Sequence, residues 1–221
     1  VAAALIFNFP VVALSQEKTT SKSQTAKKPA KPGKHNRLFA ARFPGSETTG
    51  GKTFVFDSPD IIAGLELKDY HTICIGGVGF FNKNSPLGNV FPSLFKESYW
   101  EEGFGVTNPN STENQVECCI TVLKRIEKSK RVFLFLNISA IHQPNYFYLE
   151  DAKSDSVESH AAALRYVDAR LGYLFDTMRK RNPTFCIICS DHGTAYGEDG
   201  YFGHRLCHEV VWTVPYREFI L

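Results

Sequence analysis

The stretch CIICSDHGTAYGEDGYFGHRLCHE, residues 186–209, holds three of the seven histidines and four of the sixteen glycines, with acidic and hydroxyl side chains between them. A packed core has no use for that mixture. Asp191 and His192 follow directly on an apolar run and offer a carboxylate oxygen and an imidazole nitrogen, both common metal ligands. The dipeptide alone is equally well explained if Asp191 caps the next turn and His192 bonds to backbone. Gly200, Gly203 and His204 tilt the choice toward a metal. A glycine-rich loop of about a dozen residues that returns a second histidine is hard to explain by packing.

His208 stands four residues after His204, with Glu209 beside it. Two histidines at that spacing on a helix can share a metal, but the glutamate is misplaced for a zinc-protease helix. His208 therefore reads as a helix-surface or packing residue. His142, in ISAIHQPN, lies just past another apolar run. It could contact substrate or metal, or be a loop histidine with ordinary partners. His35, His71 and His160 carry no such signal. Cys186 and Cys189 form a C-x-x-C pair, but two isoleucines separate them within an expected strand, where positions three apart face opposite ways. That pair belongs to the core.

The elements that must position these residues alternate between strand and helix. TFVFD is a short strand, and DSPDIIAGLELKDY opens a helix with Asp57 or Ser58 as cap, Pro59 in the first turn and Asp60 near the positive end of the dipole. HTICIGG is a buried strand. Residues 82–112 are loop-rich, with one short helix around PSLFKESYW. Thr112 and Gln115 form a capping box ahead of a helix whose apolar face is Val116, Cys119, Ile120, Leu123 and Ile126. RVFLFLNIS is a continuous apolar strand. Residues 157–181 form a long helix with Val157, Leu164, Val167, Leu171, Leu174 and Met178 inward, ended by Asn182 and Pro183, and TFCIIC is a last buried strand. Continuous apolar strands separated by helices predict an α/β fold, a mostly parallel sheet covered on both faces. Chemistry then collects at the carboxyl ends of the strands, where Gly76, Gly77 and Asn82, then Asn137, Ser139 and His142, then Ser190 to Gly193 are found.

With 221 residues, 43% hydrophobic and 22% charged, the chain has the makings of one globular domain. A net charge of +2 gives no global field toward nucleic acid or membrane. The six cysteines sit mostly in or beside apolar runs, as reduced thiols of a cytoplasmic protein would. Residues 1–15, VAAALIFNFPVVALS, are expected to be an apolar helix of the core. They are too short and interrupted to span a bilayer, though an exported protein with a signal peptide here is the alternative. Residues 16–36 are a Lys- and Pro-rich flexible loop by composition. Residues 37–221 form the main domain.

The run CSDHGTAYGEDGYFGH resembles the carboxyl-terminal metal-binding signature of the alkaline phosphatase and sulfatase superfamily. HAAALRYVDARLGYLFDTMRKRNPTFCIICSDHG is similar to its long helix leading into the metal strand, and FLFLNISAIHQPN to the strand and His-x-Pro turn of its sulfatase-like branch. FDSPDIIAGLELKDYHTICIGGVGFFNK looks like one of its helix–strand units. The likeness covers roughly residues 38–221 and is nearest to a group of bacterial sulfatase-like metalloenzymes. It implies hydrolysis of small-molecule phosphate or sulfate esters, with divalent metals as Lewis acids and a Ser, Thr or formylglycine hydroxyl attacking in line. Carried over, Asp191 and His192 bind one metal. His204 binds a second metal or the transferred group, and His142, as a catalytic residue, holds a non-bridging oxygen or the leaving group. Zinc or manganese suits Asp and His donors best, magnesium and calcium being alternatives.

The superfamily pattern also has an amino-terminal strand ending in a metal-binding Asp, then the nucleophile. No aspartate precedes Asp57, and Asp57-Ser58-Pro59 fits a helix cap. VAAALIFNFPVVALS resembles the helix after the nucleophile. The chain is therefore expected to be amino-terminally incomplete and to lack a sheet strand, either as part of a working hydrolase or as an inactive binding module with a partial metal site.

Overall fold

The computed structural model describes residues 2–6, 37–38, 54–55, 60–85 and 87–221. In chain order these form β1 (Ala2–Ile6), β2 (Arg37–Leu38), β3 (Phe54–Val55), α1 (Ile61–Leu67), β4 (His71–Ile75) and β5 (Glu97–Tyr99). Then come α2 (Ser111–Arg125), β6 (Val132–Leu136), α3 (Val157–Arg181), β7 (Thr184–Cys189), β8 (Ala195–Tyr196), β9 (Phe202–Gly203), α4 (Glu209–Trp212) and β10 (Tyr216–Ile220). The main sheet has the order β10-β7-β1-β6-β4-β5. All its pairings are parallel except β10 against β7. The α/β fold with a mostly parallel sheet is as expected.

The register sets up the site. Ile75 pairs with Leu136, Leu136 with Ile6, and Ile6 with Ile188. Four parallel strands thus end in one row, and the residues after β4, β6 and β7 leave the sheet along the same edge.

Period-two alternation divides the core between two faces. Ile73, Ile75, Val132, Leu134 and Leu136 pack with α2 and α3 through Val116, Cys119, Leu123, Val167, Leu171, Leu174 and Met178. Phe133, Phe135 and Cys74 point the other way, against Ile62 of α1, Val78 and Phe81. Each large side chain so buried stabilises by roughly 1.5–3 kcal/mol. The long helix α3 has strong local signals at both ends. Ser156 and Ser159 bond each other's backbone N–H at 3.1 and 2.8 Å, and Asn182-Pro183 stops it. Arg181 in its last turn donates to the carbonyls of Leu123 and Ile126 at 2.9 and 2.6 Å, tying it to the end of α2.

Several expectations are corrected. Residues 2–6 are a strand, not part of a helix: an apolar run flanked by parallel neighbours suits a central strand as well as a buried helix, and periodicity cannot separate the two. Pro10 also opposes one helix through the segment. β1 stands between β6 and β7 and pairs in parallel with both. The cap of α1 is Asp60, which accepts from the Ala63 amide at 2.7 Å; Asp57 to Pro59 lie outside the described residues, as do residues 7–36. Within PSLFKESYW, Pro92–Leu94 is a 3₁₀ turn and Glu97–Tyr99 a strand, β5, on the sheet edge. Val157 and Leu164 face outward, 53% and 55% exposed.

The expected capping box of α2 does not form either. Asn110 precedes the helix without a side-chain cap bond. Gln115 is fully buried instead, and its amide donates to the carbonyls of Gly76 and Asn137 at 2.9 and 2.6 Å. It ties together the ends of β4 and β6, where buried backbone carbonyls need donors.

Candidate functional site

The turn after β7 is shaped by a close approach. Gly193 donates to the Val211 carbonyl at 2.7 Å, and a Cβ at Gly193 would stand 1.9 Å from the Val210 oxygen. Glycine is required by contact with the α4 backbone, which holds Asp191 and His192 at the sheet edge. Beyond them β8 and β9 form a short antiparallel hairpin, Ala195 opposite Gly203. Gly197, Gly200 and Gly203 adopt positive φ of 131°, 80° and 87°, a region open to glycine. The hairpin folds back and delivers His204 onto His192, ring centroids 4.3 Å apart.

His142, His160, Asp191, His192, Thr194 and His204 line one cavity of about 40 Å³ at this edge. Four sequence-chosen residues, His142, Asp191, His192 and His204, are thus brought together from two strand ends and a hairpin. Asn137 and Ser139 are not part of it. Both are buried, Asn137 accepting from the Val78 amide at 2.9 Å and Ser139 donating to the Phe104 carbonyl at 2.6 Å. They shape the loops below the cavity. Asn82 bonds the Asn84 amide within its own loop.

The cavity's electrostatics are unbalanced. Both Asp191 carboxylate oxygens are buried without a hydrogen-bond partner among the described residues. Burial pushes its pKa up to about 8. Burial holds His192 below its ordinary value, with His142 adding to the effect. His204 is pushed down to about 4, first by burial and then by the positive charge its neighbours His192, His142 and Arg205 can carry. A buried carboxylate with no partner is costly as an anion, and stacked imidazoles disfavour protons on each other.

Ring nitrogens follow from their partners. His192 Nδ1 lies 2.6 Å from the Gly193 carbonyl, and His142 Nδ1 bonds the Gln143 carbonyl. A carbonyl only accepts, so Nδ1 carries the proton in each and Nε2 of the neutral ring is left with its lone pair. That arrangement, with the second nitrogen held by backbone, is the usual second shell of a metal-ligating histidine. The unpartnered Asp191 carboxylate and the His192 lone pair fit a divalent cation. Among the described residues, however, no three His, Cys, Asp or Glu side chains are gathered to enclose a metal.

His208 is not on a helix with His204. It precedes α4, caps it by accepting from the Val210 amide at 3.2 Å, and faces Asp199 at 3.1 Å. His71 lies at the opposite end of β4 and pairs with Glu97 at 2.7 Å. Cys186 is buried in the core, and Cys189 is half-buried at the end of β7.

Residues 43–217 match the family model described as Sulfatase. The chain belongs to the sulfatase family. No curated protein matches it. Among solved structures, this sulfatase-family chain is similar to the C-terminal periplasmic domain of phosphoethanolamine transferase EptC from Campylobacter jejuni, at TM-score 0.54 and 14% identity over 72% of this chain and 55% of that one. The corresponding Escherichia coli domain, in complex with Zn, gives TM-score 0.56 and 16% identity over 73% and 52%. The soluble domain of lipooligosaccharide phosphoethanolamine transferase A from Neisseria meningitidis gives 0.51 and 14% over 72% and 53%. These likenesses are of fold, and the sulfatase-family chain spans about half the length of each.

One residue escaped sequence reasoning. His160 opens the run likened to the superfamily's long helix but carries no assigned role there, yet it lines the cavity. Its only local signal is its place in the first turn of α3, four residues after the Ser156 cap, and nothing in the sequence says that this turn packs against the sheet edge.

Proposed function

We propose that the cavity binds a divalent metal and the oxyanion of a small phosphate or sulfate ester, and that the protein is a metal-dependent ester hydrolase. The observation that carries this is Asp191: a buried carboxylate at the carboxyl edge of a parallel sheet, both oxygens without a side-chain partner among the described residues, beside an imidazole whose neutral form keeps a lone pair on Nε2. A cation there would remove the burial penalty on Asp191. Asp191 and His192 would hold it, with His204 on a second ion or on the transferred group. The bound metal would act as a Lewis acid on the ester oxygen. Zinc fits the donors, in keeping with the Zn complex of the Escherichia coli domain; manganese is the next choice, ahead of magnesium and calcium.

The chain's own residues have further work. His142, with Nδ1 tied to the Gln143 carbonyl, meets a leaving-group oxygen only through Nε2. It would donate there when protonated and accept when neutral. The hairpin and the α3 amino terminus wall the cavity and limit water. No helix among the described residues is long and apolar enough to cross a membrane. Two of these similar structures are periplasmic domains, so an exported location suits this reading at least as well as a cytoplasmic one.

The test is metal content and turnover together. Purified protein loaded with zinc or manganese is assayed against p-nitrophenyl phosphate and p-nitrophenyl sulfate, beside Asp191→Ala and His204→Ala. Loss of bound metal and of turnover in both variants is expected. Unchanged metal content and activity would remove the assignment, and metal binding without turnover in the parent would leave a binding module.

A further inference from the structure

A buried chain of hydrogen bonds reaches the cavity from behind and ends on His160. Ser159 Oγ lies 2.6 Å from Asn145 Oδ1 and 3.0 Å from the Ser156 carbonyl, so its one proton is placed on the shorter contact, to Asn145; Ser159 and Asn145 are both fully buried. That length suits O–H···O and is short for N–H···O, which fixes the Asn145 amide with its oxygen toward Ser159. Asn145 Nδ2 then donates to the Tyr196 hydroxyl at 3.0 Å. Tyr196 has one proton, and its other hydrogen-bond partner among the described residues is His160 Nδ1 at 3.0 Å. With Asn145 donating to the phenol oxygen, that proton goes to His160 Nδ1, and the imidazole proton sits on Nε2.

The chain is anchored at both ends. Asp155 accepts from the amides of Asn145 and Tyr146 at 2.6 and 2.8 Å, and the Ser156–Ser159 cap fixes the first turn of α3. The Tyr196 ring stands edge-on to His160, 76° between planes.

We infer that His160 is a substrate-contacting residue of this site, a neutral imidazole preset to donate its Nε2–H to a non-bridging oxygen of the phosphate or sulfate group. The inference rests on the reading of the cavity as an ester site. His192 and His142 have the opposite tautomer and offer lone pairs when neutral, so His160 differs from them in giving a hydrogen bond to an anion without first taking up a proton. Burial lowers the His160 pKa, which keeps it in the neutral, donating form at pH 7. Asn145, Ser159 and Tyr196 act through it, as positioning residues.

The experiment is a long-range proton–nitrogen correlation spectrum of the full chain with nitrogen-15 histidine, with and without added zinc, titrated with inorganic phosphate and then sulfate. His160 is expected as the Nε2–H tautomer, His142 and His192 as Nδ1–H in the zinc-free protein, and the anion is expected to move the His160 Nε2–H signal. Tyr196→Phe keeps the ring packing and removes the directing hydroxyl, so His160 should become a tautomer mixture. His160→Ala should weaken phosphate binding about tenfold, the scale of one hydrogen bond to a charged group, with His160→Gln recovering part of it. A His160 in the Nδ1–H form overturns the inference. So does an anion that moves His192 or His204 signals and leaves His160 still, a result that would leave the cavity reading intact. An anion that moves none of the four cavity imidazoles removes the cavity reading and this inference with it.

Discussion

The imidazoles of His192 and His204 stack with centroids 4.3 Å apart and planes 22° from parallel, although one ends a sheet strand and the other arrives over the β8–β9 hairpin. Two rings so placed cannot both carry a proton cheaply. The pair has consequences for pH, for metal binding and for the loop that delivers it.

In metal-free protein, His204 should titrate near pH 4, as burial and its cationic neighbours dictate. Its folded pKa lies below the ordinary 6.5, so the unfolded chain binds the proton more tightly. This group's contribution to stability is whole above about pH 6.5 and is lost as pH falls toward 4. Urea midpoints between pH 7 and 4 should show that decline, and His204→Asn should flatten it. An unaltered slope in the variant would refute the shift.

Asp191 acts in the opposite sense. Its folded pKa of about 8 lies above the ordinary 3.8, so folding favours the protonated form. That contribution is complete below about pH 4 and is lost as pH rises through 8. Metal-free Asp191→Asn should therefore lose less stability than the parent between pH 6 and 9. Parallel stability curves over that range would show that the carboxylate is not held in a costly ionised state.

Saturating zinc should abolish the alkaline decline and raise the unfolding temperature. At one hundred times the dissociation constant the gain is about 2.7 kcal/mol. Asp191→Ala and His192→Ala should each remove most of it. Calorimetric scans with and without chelator would measure this, and an equal zinc shift in all three proteins would place the ion elsewhere.

Gly193→Ala brings a Cβ to 1.9 Å from the Val210 oxygen. Backbone rather than a movable side chain stands in the way, so we expect a loss of about 2–4 kcal/mol, from forced displacement of α4. Chemical denaturation measures it directly. A loss under about 0.5 kcal/mol would mean that α4 yields freely.

Gln115→Leu removes the amide that donates to the carbonyls at two strand ends, Gly76 and Asn137, and should cost about 1–3 kcal/mol for the loss of two buried hydrogen bonds. Thr112→Val should change stability by less than about 1 kcal/mol, since Thr112 Oγ1 has no hydrogen-bond partner among the described residues and is not the helix cap. If Thr112→Val proves the costlier, the capping box read from sequence holds after all.

Legibility differs from residue to residue. The span of α3 was readable from its apolar spacing and its Asn182-Pro183 stop, and the Ser156 cap seen in the structure marks its other end. The strands β4, β6 and β7 were readable as apolar runs too short for helices and bounded by polar ends. Asp191, His192 and His204 were readable because glycines at φ of 80° and 87° have no use in a core. β1 was misread because a short apolar run is compatible with either buried element. Gln115 was misread because S/T-x-x-Q describes a cap in local terms, while its amide is used by carbonyls from strands far away in sequence.

The sequence by itself determined the α/β class, the parallel sheet, the edge at which the cavity opens and three of the side chains that line it. Each depends on signals a few residues long: hydrophobic periodicity, caps, glycine spacing. The tertiary structure alone decided that β1 stands between β6 and β7, that Gly193 must be glycine because of Val210, that His208 caps α4, and that His160 lines the cavity. These depend on contacts between segments distant in the chain, whose approach is set by packing and burial across the whole sheet rather than by any local preference of the residues that meet.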